Sequence, residues 1–196
     1  MAGTFVIGSL ALALLAETAE IAALAVSVRW PDRRMWPPGE IDRRWLFYWG
    51  NTAVVVGALS VVAFHDAESW VFAGLVWDVL GGGLVVVGGA LAVWAGRTLR
   101  LRESVGLGGL LVTDGPYRYS RNPQLIGIGL VAIGVLVAVN STLLTVGAIP
   151  GVIWLWLLPV AEEPWLAEQF GEEYRAYQRI VPRFVGWRTI DRLLDR

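Results

Sequence analysis

What most limits this chain is how completely arginine avoids its long apolar stretches. All sixteen basic residues are arginines, and they fall in three groups. Arg29, Arg33, Arg34, Arg43 and Arg44 form the first, and Arg97, Arg100, Arg102, Arg118 and Arg121 the second. Arg175, Arg179, Arg183, Arg188, Arg192 and Arg196 form the third. Between and before these groups run five apolar segments, Thr4–Val28, Trp45–Phe64, Trp70–Ala95, Leu125–Val139 and Leu143–Val160. A bilayer core of roughly 30 Å takes about 20 helical residues. The first three segments meet that length, and the last two are shorter.

The expected fold is therefore all-α: a polytopic membrane protein with five transmembrane helices. Spans four and five form a tight hairpin around Asn140-Ser141-Thr142. Five crossings place every arginine on one side of the membrane, whereas another count scatters them over both. The positive-inside rule then predicts an outside N-terminus, with the C-terminus and functional face cytoplasmic, in the cell membrane. Trp30, Trp45, Trp70 and Trp94 bracket the spans as interfacial aromatics do. The start of the chain does not read as a signal peptide, because no basic residue precedes the first apolar run. The whole of 1–196 reads as one membrane domain. Residues 1–96 supply three spans, and residues 97–196 form a cofactor-binding half with cytosolic helices.

Composition excludes several chemistries. Cysteine is absent, which removes disulfides, thiolate metal sites and a thiol nucleophile. His65 is the single histidine, and no metal site is expected. A net charge of −1 suggests no nucleic-acid partner.

Three acids lie inside the spans: Glu17 and Glu20, three residues apart and so on one helix face, and Asp78. Such carboxylates are costly in lipid and face protein or a watery cavity. They serve either a polar ligand or hydrogen bonds between helices. Glycines recur every seven residues in the third span, at 74, 81 and 88 and again at 82, 89 and 96. Small-residue stripes of this kind predict a packing seam.

The segments around the hairpin carry the chemistry. Thr113-Asp114-Gly115-Pro116-Tyr117-Arg118-Tyr119-Ser120-Arg121-Asn122-Pro123 holds a turn and then a helix start, with Asn122 as cap and Pro123 in the first turn. After the hairpin comes Pro159-Val160-Ala161-Glu162-Glu163-Pro164. Pro164 is expected to open a further, amphipathic helix lying on the membrane surface, with Leu166, Phe170, Tyr174, Tyr177 and Val181 on one stripe. An antiparallel hairpin returns Glu162 and Glu163 to the depth of Arg121 and Asn122. A helix start favours anions, and paired acids accept from ribose hydroxyls. The plainer reading is a helix cap beside solvated glutamates. Acids at a helix C-terminus oppose the macrodipole, which favours the functional one.

These residues resemble the isoprenylcysteine carboxyl methyltransferase family, with phospholipid N-methyltransferases as relatives. The resemblance runs from about Arg97 to Phe184. It is carried by Gly115–Pro123, Glu162-Glu163, Phe170–Tyr177 and Val181-Pro182-Arg183-Phe184. It implies S-adenosylmethionine as cofactor and a lipid-like or prenylated acceptor from the bilayer. Arg121, Asn122 and Pro123 match an Arg-His-Pro cofactor motif, with Asn122 in the histidine's place. Leu125 stands where many members have tyrosine. The implied cofactor contacts are Tyr117, Arg121, Asn122, Pro123, Gly127, Glu162, Glu163 and Arg183. For methyl transfer the candidate catalytic residues are Arg121 or Arg118, to orient a carboxylate acceptor, and Glu163 or a tyrosine, as base for an amine acceptor. Two other readings stand beside it: a nicotinamide-dependent reductase of sterols or isoprenoids, and a non-catalytic membrane protein of the same fold.

Overall fold

The computed structural model describes residues 2–72, 74–187 and 189. Arg188, Arg192 and Arg196 of the third arginine group lie outside the described residues. Six α-helices form among the described residues: α1 (Ala2–Arg29), α2 (Arg43–His65), α3 (Leu75–Leu99), the one-turn α4 (Leu101–Ser104), α5 (Pro123–Val139) and α6 (Thr142–Ile180). Among the described residues there is no strand, only an isolated bridge between Gly39 and Leu107.

Four of these helices, α1, α2, α3 and α6, are long and apolar enough to cross a membrane. The apolar α5 has 17 residues, about 25 Å at 1.5 Å per residue. Large apolar side chains point outward along the helices: Leu15, Phe64, Leu75 and Val86 are each at least 70% exposed. Water does not tolerate such a surface over a whole molecule, whereas lipid does.

Glycine decides which helices touch. α5 packs along α3, not tightly against α6 as the hairpin reading expects. A Cβ at Gly88 would lie 2.7 Å from the Gly127 carbonyl, and one at Gly134 2.6 Å from the Gly81 carbonyl. Any side chain there would force the backbones apart. Gly82 and Gly89 face nothing within 4 Å, so only one of the two glycine stripes is a seam. α6 packs against α1 instead, leaving space between the α3–α5 pair and the α1–α2–α6 group.

The far end of the bundle is knotted around Asp66, the residue that ends α2. Its Oδ2 accepts from Ser141 Oγ (2.6 Å), the Leu143 amide (2.9 Å) and Ser69 Oγ (2.8 Å). Asn140 turns the chain in the left-handed region at φ 52°, and Ser141 caps α6 by accepting from the Leu144 amide. Trp70, expected inside the third span, lies in this turn region, where its amide donates to the Asn140 carbonyl.

The sharpest departure from expectation is at Pro164. It opens no helix; α6 runs on through Pro150, Pro159 and Pro164 and first leaves helical geometry at Gly171, φ 55°. Each proline removes one amide donor, and the flanking turns hold the helix together. Glu162 and Glu163 thus sit mid-helix, where the terminal dipole argument does not reach. The stripe from Leu166 to Val181 is used within the protein as well. Tyr174, Tyr177 and Val181 are buried, packed with Leu111, Leu166 and Phe170.

Candidate functional site

The gap between the two helix groups holds a cavity of about 310 Å³. Its polar lining includes Arg121, Asn122, Glu162, Glu163, Glu103 and Thr52, and its aromatic lining includes Trp36, Tyr48, Trp154 and Trp165. Of the side chains singled out from sequence, Tyr117, Arg121, Asn122, Glu162 and Glu163 share this cavity. Pro123, Gly127 and Arg183 do not line it. Gly127 is spent on the α3 seam, where a Cβ would meet the Gly88 carbonyl at 2.6 Å.

The segment bearing Arg121 is stapled to the C-terminal stretch by main-chain carbonyls. The Arg121 amide donates to the Pro182 carbonyl (2.9 Å). Ser120 Oγ and Asn122 Nδ2 both donate to the Arg183 carbonyl, at 3.1 and 3.0 Å. Tyr177 Oη donates to the Tyr117 carbonyl at 2.7 Å. Asn122 occupies the cap position of α5, yet its side chain makes no capping bond. Pro123 has no amide hydrogen, and Asn122 instead reaches across to a segment 61 residues away.

Glu163 is the charge hub. Its two oxygens take a fork from Arg183, Nε to Oε1 at 2.7 Å and Nη2 to Oε2 at 2.6 Å. Arg121 Nη1 stands 3.0 Å from the same Oε1 as an ion pair. These hydrogen bonds raise the Arg183 guanidinium further above its usual range, despite partial burial. Arg121 is less satisfied: its Nε and Nη1 are buried without a hydrogen-bond acceptor in good geometry. A buried, incompletely bonded guanidinium on a cavity wall suits a carboxylate ligand.

Glu162 is held differently. Its Oε1 accepts from Trp36 Nε1 at 2.7 Å, and among the described residues no arginine pairs with it. Trp36 stacks on Tyr48, ring centres 4.1 Å apart, so the loop after α1 reaches into the site. That loop is pinned by the Gly39 amide on the Gly106 carbonyl (3.0 Å) and the Gly108 amide on the Gly39 carbonyl (3.1 Å). Residues 36–52, from the part of the chain that carries the first spans, thus help to wall the cavity. Tyr117 is buried beside Glu162; desolvation first, then that nearby charge, pushes its phenol well above the usual value. It stays protonated at any ordinary pH.

Sequence reasoning missed Trp36, Tyr48, Thr52 and Glu103. Glu103, on α4, lines the cavity with Oε1 accepting from the Leu110 amide (3.3 Å) and Oε2 buried without a partner. A Cβ at Gly109 would run into this carboxylate, so a larger residue there would have to turn the Glu103 side chain aside. Sequence signals were faint. Trp36 stands in a Trp-Pro-Pro turn, and Glu103 is one acid among several near the arginines.

Comparison with known protein families gives a match. The family model of phospholipid methyltransferases matches residues 76–173, half of the 196-residue chain. Comparison with curated proteins and with solved structures finds no match. The stretch matched runs from the start of α3 past Glu163, taking in both helices of the glycine seam and the Arg121 segment. The chain accordingly belongs to the phospholipid methyltransferase family and is a membrane protein of that methyltransferase kind.

Proposed function

We propose that the protein transfers a methyl group from S-adenosylmethionine to a lipid-like or prenylated acceptor that enters the cavity from the bilayer. One observation carries this reading: an incompletely bonded Arg121, an arginine-free Glu162 and an aromatic wall face one cavity. The residues fit the cofactor's chemistry. Arg121 suits its carboxylate, Glu162 suits its ribose hydroxyls or amino group, and Trp165 and Tyr174 offer faces to a base or a sulfonium. When bound, the cofactor supplies an electrophilic methyl group on positively charged sulfur.

The protein's own part is alignment and exclusion of water. Arg183 fixes Glu163, Glu163 holds Arg121 in place, and Trp36 holds Glu162. This assigns Glu163 a positioning role, in preference to that of a base. Ile128 and Leu110 line the cavity while remaining exposed, which gives an apolar mouth suited to a lipid tail. Five crossings with the site on the cytoplasmic side remain the topology that keeps all arginines together.

Calorimetric titration of the purified protein with S-adenosylmethionine, its demethylated product and a reduced nicotinamide tests the reading. Binding of the first two and not the third is the expected result. Binding of the nicotinamide alone overturns it in favour of a reductase.

A further inference from the structure

Glu17 and Glu20 are the acids the site above leaves unused. Both belong to α1, outside the stretch matched by the family, and both are more than nine-tenths buried. Glu20 Oε1 accepts from Thr52 Oγ1 at 2.8 Å, and the side chains of Asn51 and Trp154 stand beside this carboxylate. Trp154 Nε1 donates to the Tyr48 hydroxyl. Three of these neighbours, Thr52, Tyr48 and Trp154, line the cavity. Glu20 therefore stands one side chain behind the cavity wall, on the α1–α2–α6 side. Beside it, Glu17 Oε2 is buried with no hydrogen-bond partner among the described residues.

We propose that Thr52 and Glu20 form the acceptor pole of the cavity: a cationic amine headgroup docks at Thr52, with Glu20 as its counter-ion and proton acceptor. The chemistry rests on the methyltransferase reading, which leaves amine and carboxylate acceptors open. An ammonium has no lone pair and must lose a proton before it can be methylated. Thr52 Oγ1 can donate to Glu20 or, at 2.9 Å, to the Tyr48 carbonyl, so its proton has two resting places. An N–H bond breaks as an O–H forms at Thr52, and the Thr52 proton passes to Glu20. The ammonium becomes an amine and the carboxylate a carboxylic acid, with charge conserved. The groups around Glu20 are Glu17 on its own helix, Tyr48 on α2 and, beyond Tyr48, Glu162 on α6. No arginine competes there, because none falls within α1 before Arg29 or within α2 after Arg44. Tyr48, Trp36 and Trp154 add aromatic faces, which attract cations.

The experiment uses the full chain in detergent, reading tryptophan fluorescence as dodecylamine, dodecanol or dodecanoate is added near neutral pH. Dodecylamine is expected to bind saturably and at least tenfold more tightly than the other two. Glu20→Gln and Thr52→Val should each weaken it tenfold or more, while Thr52→Ser, which keeps the hydroxyl, restores binding. S-adenosylmethionine affinity should stay as in the parent in all three. Failure of the parent to bind that cofactor bears on the methyltransferase reading alone, since the amine titration reads separately. A second arm follows methylation of an ethanolamine-headgroup phospholipid in mixed micelles across pH. Loss of rate in Glu20→Gln near neutrality, recovered toward pH 10 where an alkylamine is neutral unaided, supports the proton role. Equal dodecylamine binding by parent and Glu20→Gln, equal binding of dodecanoate, or a rate loss independent of pH overturns the proposal.

Discussion

Arg183 grips both oxygens of Glu163, at 2.7 and 2.6 Å, so this carboxylate is committed within the protein before any ligand arrives. Among the described residues Glu162, its chain neighbour, is held by the Trp36 indole alone. The two adjacent acids should therefore answer differently to the same change. Glu163→Gln breaks a forked, partly buried pair and should cost about 1.5–3 kcal/mol of stability together with cofactor affinity. Glu162→Gln should lower affinity tenfold or more with little effect on unfolding. Arg183→Lys should resemble Glu163→Gln, because an ammonium cannot make the fork. Thermal unfolding and calorimetry on the same variants separate the two effects.

Asn122 offers a second test. Its amide group ties the Arg121 segment to the Arg183 carbonyl. Asn122→Asp replaces that donor with a charge facing an acceptor and should destabilise the protein by about 1–3 kcal/mol. Asn122→His supplies a ring N–H and should be tolerated. Equal stability of the aspartate variant would return Asn122 to a capping role, which either side chain fills.

The glycine seam is asymmetric. Gly88→Ala and Gly134→Ala should each cost about 1–3 kcal/mol, since the added methyl meets backbone across the α3–α5 contact. Gly82→Ala and Gly89→Ala place the methyl in open space and should stabilise slightly, by up to about 1 kcal/mol. Unfolding of the four variants in one detergent checks the contrast.

Asp66 introduces acid sensitivity. Partial burial raises its carboxyl, but the bonds from Ser141, the Leu143 amide and Ser69 outweigh this and hold it below the ordinary carboxylate value. A group depressed in the folded state stabilises fully above its unfolded value, about 3.9. That contribution is lost as pH falls through the lower folded value. Melting temperature should thus be flat near neutrality and fall below about pH 4. Asp66→Asn should melt lower at neutral pH and show a weaker acid decline.

Topology can be read with single cysteines, since the chain has none. Ser69 and Asp114 are both exposed and lie at opposite ends of α3. An impermeant thiol reagent outside intact cells should label Ser69→Cys and spare Asp114→Cys. The reverse pattern inverts the orientation.

Sequence alone determined the solvent and the secondary structure of this protein. Apolar length and the exclusion of arginine are local, additive properties, so the helices near Thr4–Val28, Trp45–Phe64 and Leu125–Val139 follow without reference to partners, whereas the start of the third and the end of the last do not. The approach of Arg121 to Glu163 was legible too, because equal helical lengths on either side of Asn140 imply it. Tertiary structure alone decided the pairings. Both glycine stripes of α3 look alike along the chain, yet only Gly81 and Gly88 find glycines opposite, in α5. Pro164 looks like a helix start, but the turns around it keep α6 continuous to Gly171. Arg183 takes Glu163, Trp36 takes Glu162, and Thr52 and Trp154 meet Glu20. Each of these contacts joins segments 20 to 134 residues apart. Periodicity places a side chain on a face of its own helix; which distant donor that face meets depends on how closely the backbones approach.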